Sequence, residues 1–188
     1  MKKRCEWPSD DELMLRYHDT EWGASVHDDR KHFEFLVLDA FQAGLSWSII
    51  LKKRENFRKA FDNFDPVKIS RYREAKIQKL LKDPGIIRNK LKIRSTVTNA
   101  RAFLEIQKDF GSFDKFIWRF TGGKQKINRW KAIKEIPAKS RESDAMSEEL
   151  KKRGFKFVGS TICYSYMQAA GMVNDHTTSC FRYREVME

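Results

Sequence analysis

Residues 80–93 read LLKDPGIIRNKLKI, and this stretch decides how the chain folds. Helical spacing of apolar side chains predicts a short helix over 73–82 and a longer helix over roughly 88–108. The Asp-Pro-Gly sequence at 83–85 is a turn signal that separates the two. The sequence therefore predicts two helices joined by a tight turn, with the whole helix-hairpin region spanning about 73–105.

This hairpin carries features suited to a phosphate. Gly85 permits backbone conformations that other residues resist, and free N–H groups at the start of the second helix can face an anion. Basic residues add charge without reading base sequence, namely Arg88, Lys90 and Lys92. An ordinary αα-hairpin with a surface charge cluster fits the same residues, and both readings stay open at this point.

The remainder of the chain is predicted to be helical as well. Side chains typical of N-caps precede apolar periodic runs. These capping residues are Ser9, in a capping box that ends at Glu12, then Asp28, Ser46 and Asp65. No run alternates clearly enough to predict a strand, and the basic stretch 121–142 is predicted to be an irregular, mobile loop. The fold class is therefore all-α, with one domain over 1–188 whose two helical lobes would hold a pocket between them.

Composition favours a polyanionic partner. The 188 residues include 38 Lys and Arg against 26 Asp and Glu, for a net charge of +12. Neutralising phosphates with such a surplus releases counterions and stabilises a nucleic-acid complex, although a solvated basic surface would have the same composition. With 40% hydrophobic and 13% aromatic residues, the chain can bury a substantial core.

Compartment signals point to the inside of a cell. The chain has no apolar run of transmembrane length, and its basic N-terminus lacks the apolar stretch of a signal peptide. Three cysteines are too few for a disulfide scaffold, so core packing or metal ligation is the expected use. The sequence therefore predicts an intracellular, reducing location, in the cytoplasm.

One acid stands alone in an apolar run. Residues 35–51 read FLVLDAFQAGLSWSIIL, in which Asp39 is the only charged residue. Burial of an unpaired carboxylate is costly, so Asp39 is expected to have a partner or a ligand. With Trp47 just downstream, an aromatic pocket for a flat, electron-poor or cationic base is one interpretation, and a structural Asp with an ordinary ion-pair partner is the other.

Two cysteines and two histidines lie at opposite ends of the chain. Cys5 and His18 are near the start, while His176 and Cys180 are four residues apart near the end, so that a helix would place this second pair on one face. Together they form a complete tetrahedral zinc set, although the spacing is not that of a zinc finger and four unrelated residues would look the same. The remaining cysteine and histidines fit no ligand pattern. Cys163 is predicted to be a core residue, and His27 and His32 are predicted to lie on the surface.

Taken together, the segments resemble the 3-methyladenine DNA glycosylase I family over almost the whole chain. Each matching stretch is short, but their order and spacing are highly specific. In order they are RCxW (4–7), YHDxEWG (17–23), QAGLSW (42–47), LKKREN (51–56), FDPV (64–67), GIIR (85–88), KKRGFKFVG (151–159) and NDH (174–176).

The resemblance implies a helix-hairpin-helix glycosylase fold whose ends are joined by one structural zinc ion. It assigns the zinc ligands to Cys5, His18, His176 and Cys180. It assigns the base pocket to Trp7, Tyr17, Asp39 and Trp47, with Asp39 as the catalytic group. It assigns DNA contacts to Leu45, which would enter the base stack, and to the hairpin residues Gly85, Ile87, Arg88, Lys90 and Lys92.

One departure from the family pattern concerns the acid itself. The family usually has Glu where this chain has Asp39, which keeps the charge but is one methylene shorter. The neighbouring residues Ala40 and Phe41 also differ from the usual form, as does Met14, at a position where a pocket Tyr can occur. A reshaped pocket is therefore expected, and its consequence would fall on rate and base selectivity.

The implied function is removal of 3-methyladenine from alkylated double-stranded DNA by a monofunctional glycosidase that leaves an abasic site. No membrane association and no dedicated protein partner are predicted, and the protein is expected to be a monomer. The alternative is a non-catalytic helix-hairpin-helix DNA-binding protein, which would not need an acid beside stacked aromatic rings. A zinc-stabilised RNA-binding protein is a third possibility, supported only by positive charge.

Overall fold

The structure, a computed structural model, describes residues 2–187 and is largely helical. In this part of the chain the α-helices are α1 (Glu12–Thr20), α2 (Asp29–Gln42), α3 (Trp47–Ala60), α4 (Pro66–Ser70), α5 (Glu74–Lys82), α6 (Lys90–Phe110), α7 (Phe113–Ile117), α8 (Arg141–Lys152), α9 (Ser160–Ala169) and α10 (Arg182–Glu185). The short strands are β1 (Lys126–Ile127) and β2 (Val173–Asn174). Within residues 2–187, none of the helices combines the length and apolar character needed to cross a lipid bilayer.

Most of the capping residues act where the sequence predicted. The side chains of Asp28, Ser46 and Asp65 each accept a hydrogen bond from a first-turn N–H of α2, α3 and α4. The first helix is different, because its N-cap is Asp11, whose carboxylate accepts from two backbone N–H groups. Ser9 lies outside this helix with φ +51°, so the predicted capping box at Ser9 was wrong.

The core is built around α6, the longest helix, at 21 residues. Its inward face carries Phe103, whose ring lies 5.1 Å from that of Phe33 in α2 and 4.2 Å from that of Phe113 in α7. The buried apolar cluster continues from Cys5 to Cys180. Because α2 is buried from His32 to Phe41, Asp39 is surrounded by this core.

A buried ion network fixes the helices that carry the site. The Arg54 guanidinium in α3 donates to Glu34 in α2 at 2.6 Å and to both carboxylate oxygens of Glu21 at 2.8 and 2.9 Å. Burial raises the pKa of both carboxyls, but the hydrogen bonds and charge of Arg54 outweigh it and hold each pKa below its usual value. The C-terminal end of α1 and the bodies of α2 and α3 are therefore held together by paired charges.

Two strands lie where the sequence predicted none. β1 pairs with β2 in parallel, with Lys126 opposite Val173 and Ile127 opposite Asn174. Two residues per strand are too short to produce an alternating pattern. The pair attaches the segment 121–142 to the body of the protein, which corrects the prediction of a loose loop; residues 128–139, which follow β1, are called the strap below.

Candidate active site and metal centre

The aromatic residues and the acid predicted for the pocket converge in space. Trp7, Tyr17, Asp39 and Trp47 all line one open cavity of about 360 Å³. Tyr17 lies between the two tryptophans, with ring centroids 6.3 Å from Trp7 and 5.4 Å from Trp47. The cavity is thus rich in π-faces, which suits a flat or cationic ligand.

Asp39 is buried in this cavity without a protein partner. Its side chain is 2% exposed, and Oδ2 accepts no hydrogen bond from residues 2–187. Burial alone raises the pKa of this carboxyl well above its ordinary value. Burial and the nearby Asp39 also raise the pKa of Tyr17, so the site disfavours negative charge. An isolated buried carboxylate is costly, and a cationic or hydrogen-bonding ligand would offset that cost.

Two donors in the cavity also lack acceptors in the described part of the chain. The indole N–H groups of Trp7 and Trp47 are buried and make no hydrogen bond. Buried polar groups in folded proteins are normally paired, and three unpaired groups in one cavity are the mark of a ligand site. Of the two alternatives that the sequence left open for Asp39, an ion-pair partner or a ligand, the structure therefore favours a ligand.

The sequence analysis missed the polar wall that α9 contributes. Four side chains of this helix line the cavity, namely Thr161, Tyr164, Ser165 and Gln168. Their spacing of three to four residues along an otherwise apolar helix is a polar stripe that the periodicity could have revealed. Strap residues also line the cavity, among them Ile133 and Ile136.

A second buried carboxylate, Asp175, organises this polar wall. It is 1% exposed and accepts four hydrogen bonds, each of 2.7 Å. Two come from the strap region, from Asn128 and Trp130, and two come from the cavity residues Tyr164 and Gln168. Asp175 therefore fixes the strap and α9 relative to each other.

The loop between α2 and α3 is a tight turn beside the cavity. Gly44 has φ +80°, which favours glycine, and the Leu45 N–H donates to the Gln42 carbonyl at 2.7 Å. The Gln42 side-chain amide donates back to the Leu45 carbonyl at 3.2 Å. Since Gln42 and Trp47 both line the cavity, the half-buried Leu45 is held at its edge.

The hairpin between α5 and α6 forms as predicted, but Gly85 is there for another reason. Its φ is not among the positive values, so conformational freedom does not explain it. A Cβ at this position would lie 3.2 Å from the Cβ of Asn56, and the glycine permits this close approach. The Lys53 ammonium donates to the carbonyls of Pro84 and Gly85 at 3.0 and 3.3 Å, which ties the turn to α3.

The hairpin residues predicted to bind DNA divide into two groups. Arg88 and Lys90 are exposed and Ile87 is half-buried beside them. Lys92 is buried instead, and its ammonium donates to the carbonyls of Phe41 at 2.8 Å and Ala43 at 2.6 Å. Lys92 therefore caps the end of α2 and faces the protein, which corrects its assignment as a phosphate contact.

The surface positions predicted for the two histidines outside the metal-ligand set were only partly correct. His32 is fully buried, with Nδ1 2.7 Å from the Tyr166 hydroxyl and Nε2 3.1 Å from Asp114. Burial lowers its pKa although Asp114 opposes the shift. His27 is exposed and contacts the same Asp114. The prediction of a surface position was therefore wrong for His32 and correct for His27, while Cys163 is a core residue as expected.

Cys5, His18, His176 and Cys180 come together from the two ends of the chain. All four are buried, and their ligand atoms lie within 4.8 Å of one another. The sulfur-to-nitrogen distances are 3.5 Å from Cys180 to His18, 3.6 Å from Cys180 to His176 and 3.6 Å from Cys5 to His176. A tetrahedral zinc ion with its usual bond lengths requires S···N separations of about 3.6 Å, so this donor set fits such an ion.

The outer nitrogens of both imidazoles are already engaged. His18 Nδ1 lies 2.8 Å from the Asp19 carboxylate, and His176 Nε2 lies 2.9 Å from the Trp22 carbonyl. These contacts fix the tautomers that leave the inward nitrogens free to bind a metal. The expected helical spacing of His176 and Cys180 is not found, since residues 176–180 form turns.

Comparison with known proteins agrees with this geometry. The chain matches the methyladenine glycosylase family over residues 7–183. The chain belongs to this family. It is 48% identical over 181 residues to DNA-3-methyladenine glycosylase 1 of Escherichia coli K12, covering 96% of this chain and 97% of the relative.

Solved structures of relatives share the fold. A crystal structure of 3-methyladenine DNA glycosylase I superposes with a TM-score of 0.93 at 49% identity, covering 95% of this chain and 98% of the other. The enzyme of Staphylococcus aureus, studied for its recognition of 3-methyladenine, superposes with a TM-score of 0.92 at 33% identity, covering 95% of each chain. The all-helical fold predicted from the sequence is therefore confirmed as that of this family.

Proposed function

We propose that the protein is a monofunctional DNA glycosylase that removes 3-methyladenine from alkylated duplex DNA and leaves an abasic site. The observation that carries this proposal is Asp39, a buried carboxylate without a protein partner in an aromatic cavity. A relative 48% identical over nearly its full length is a DNA-3-methyladenine glycosylase, which supports the same substrate here.

The methylated base would be bound by charge and stacking together. Methylation at N3 of the attached base makes it cationic, and a cation next to Asp39 would restore the favourable ionised state of the carboxylate. The rings of Tyr17 and Trp47 would contact the faces of the base through cation–π attraction. An unmethylated adenine lacks the positive charge, so it would leave the buried carboxylate uncompensated.

Catalysis would then need little acid assistance. The alkylated base departs as a neutral molecule, because the electron pair of the broken C–N bond cancels its positive charge. The sugar gains positive character as this bond breaks, and water adds to it. Asp39 would hold the base at its edge, and the walls of the cavity would keep it extruded from the DNA.

DNA would bind through the hairpin and the loop beside the cavity. The start of α6 offers free N–H groups, and the exposed Arg88 and Lys90 add positive charge near Gly85 and Ile87. The side chain of Leu45, at the edge of the cavity, would fill the gap that the extruded nucleotide leaves in the base stack. These contacts are with backbone and shape, which suits an enzyme that must search all sequences.

One zinc ion would be held by Cys5, His18, His176 and Cys180. With four protein ligands the ion would have no open position for water, so its contribution would be to stabilise the fold. We further propose that one monomeric domain acts alone, inside the cell where its DNA substrate and reducing conditions are found.

The test is release of free base from methylated duplex DNA, resolved by chromatography. Wild-type protein should release 3-methyladenine and leave 7-methylguanine in place. Asp39→Asn should lose most of this release while it still binds a duplex that contains a stable abasic-site analogue.

Asp39→Glu is the matched variant, because it keeps the charge and restores the longer acid usual in the family. It should remain active, with a changed ratio of 3-methyladenine to 3-methylguanine release. Intact methylated DNA with tight, salt-sensitive binding by the wild type would instead identify a non-catalytic DNA-binding protein. Unchanged release by Asp39→Asn would refute the role of Asp39 alone.

A further inference from the structure

The strap, residues 128–139, is the most basic irregular segment of the chain. It carries Arg129, Lys131, Lys134 and Lys139 against a single acid, Glu135. None of the hairpin or loop contacts proposed above involves it. Its charge therefore calls for an account of its own.

The strap forms a wall of the cavity. Ile133, Ile136, Pro137 and Ala138 all line the space into which the base would enter. Lys134 lies between the first two of these in a 3₁₀ turn, and its side chain is exposed. Lys134 is therefore beside the cavity, because Ile133 and Ile136 of the same turn form part of its lining, and Lys131 lies two residues before Ile133.

The strap is held in a defined position. Asn128 and Trp130 both donate to the buried Asp175, and the Thr178 N–H donates to the Trp130 carbonyl at 2.8 Å. The Lys131 N–H donates to the Glu135 carboxylate at 2.7 Å, which closes the turn that follows. A fixed backbone presents its cations at lower entropic cost than a flexible loop would.

Within residues 2–187, three strap cations form no ion pair, namely Arg129, Lys131 and Lys134, and the last two are the ones nearest to the cavity-lining Ile133. Lys139 lies 3.8 Å from Asp144, and the preceding Lys126 lies 2.6 Å from Glu142. Lys131 and Lys134 are exposed, and neither ammonium pairs with a carboxylate in residues 2–187. Their charge is available to a partner outside the chain.

We propose that Lys131 and Lys134 bind DNA phosphates next to the extruded nucleotide, so that the strap is a second phosphate-binding surface besides the hairpin. This inference rests on the proposed function in one respect, that the ligand of the cavity remains attached to DNA. A nucleotide extruded into the cavity keeps a phosphate on each side, so phosphates must lie at the cavity mouth. Two exposed ammonium groups at that place would neutralise them.

The test measures how binding of a duplex with a stable abasic-site analogue depends on salt. Fluorescence anisotropy at a series of KCl concentrations gives the slope of log K against log [KCl]. Each phosphate contact contributes about 0.9 to this slope, so Lys131→Gln/Lys134→Gln should reduce its magnitude by about 1.8. Binding of free 3-methyladenine should not change, since neither lysine lines the cavity.

The matched control is Lys108→Gln/Lys115→Gln, which removes the same charge from two other exposed lysines. Lys108 is near the far end of α6, about 27 Å along the helix axis from Lys90. The salt slope of this control variant should remain that of the wild type. An unchanged slope in the strap variant, or an equal reduction in both variants, would overturn the proposal.

Failure of the proposed function would look different. If the wild type releases no base, but only the strap variant has a smaller salt slope, the phosphate-binding role of the strap stands and the glycosylase assignment fails. If the wild type releases 3-methyladenine and the strap variant has an unchanged salt slope, the glycosylase assignment stands and the phosphate-binding role of the strap fails.

Discussion

Removing the zinc ion proposed for the terminal cluster should lower the melting temperature by a calculable amount. The terminal cluster joins Cys5 to His176, which are 171 positions apart in the chain. A cross-link that closes a loop of this length in the unfolded state contributes about 5 kcal/mol from chain entropy. Since a domain of this size is typically stable by 5–15 kcal/mol, the metal-free protein should be only marginally stable.

The same figure can be expressed as temperature. For chains of about 150–250 residues, 1 kcal/mol corresponds to roughly 2–4 °C in melting temperature. Loss of the metal should therefore lower the melting temperature by about 10–20 °C. The metal content is measured first by elemental analysis, and melting is then followed by circular dichroism before chelation, after chelation and after zinc is added back.

Two variants distinguish the effect of losing the metal from the effect of changing any buried cysteine. Cys180→Ser should melt at about the temperature of the chelated protein and should show no further drop with chelator. Cys163→Ala changes a buried cysteine outside the cluster and should show the same chelator-dependent drop as the wild type. A protein that loses a full equivalent of metal with a melting shift below about 3 °C would refute the argument from loop closure.

Two further predictions concern the acid and the basic residues of the site. Asp39 has a raised pKa in the folded protein, so its ionisation destabilises the fold at pH values above the unfolded pKa of about 3.9 and has no effect below it. Asp39→Asn should therefore raise the melting temperature at pH 8, with a gain that shrinks as the pH falls towards 4; no gain at pH 8 would mean that the carboxylate is paired in solution. Lys92→Met should cost about 1–3 kcal/mol in urea unfolding, because it leaves two buried carbonyls unpaired, without any change in the salt slope of DNA binding. Arg88→Gln/Lys90→Gln should do the reverse, with a slope reduced by about 1.8 and normal stability, and a slope loss in Lys92→Met would contradict the buried position of that lysine.

The features that the sequence predicted best are those decided locally. Asp28, Ser46 and Asp65 act as caps because an acceptor side chain and the N–H groups it binds are neighbours in the chain. The burial of Asp39 could also be predicted, since it is the only charged residue in an apolar run of 17. The pocket aromatics and the metal ligands came from family resemblance, because spacing alone cannot bring residues 5 and 180 together.

The features that were missed depend on contacts between distant parts of the chain. Lys92 lies among basic hairpin residues in the sequence, and only the packing of α6 against the end of α2 turns it inward. Gly85 lies in close contact with Asn56, 29 positions away, and the buried His32 contacts Tyr166, which is 134 positions away. The parallel pairing of β1 and β2 has too few residues to leave a pattern at all.

The metal cluster and the cavity are adjacent in sequence as well as in space. His18 directly follows the cavity residue Tyr17, and Trp7 comes two residues after Cys5. His176 directly follows Asp175, the carboxylate that holds the polar wall and the strap.

A displacement of these ligands would therefore move the aromatic face of the cavity and its polar face together. This fold tolerates a buried carboxylate without a protein partner at Asp39, which costs stability. A metal cross-link between the chain ends, as proposed above, would offset that cost and hold the cavity walls in place. The zinc ion proposed for this cluster, although it would have no open coordination position, would still influence base binding through the backbone that it fixes.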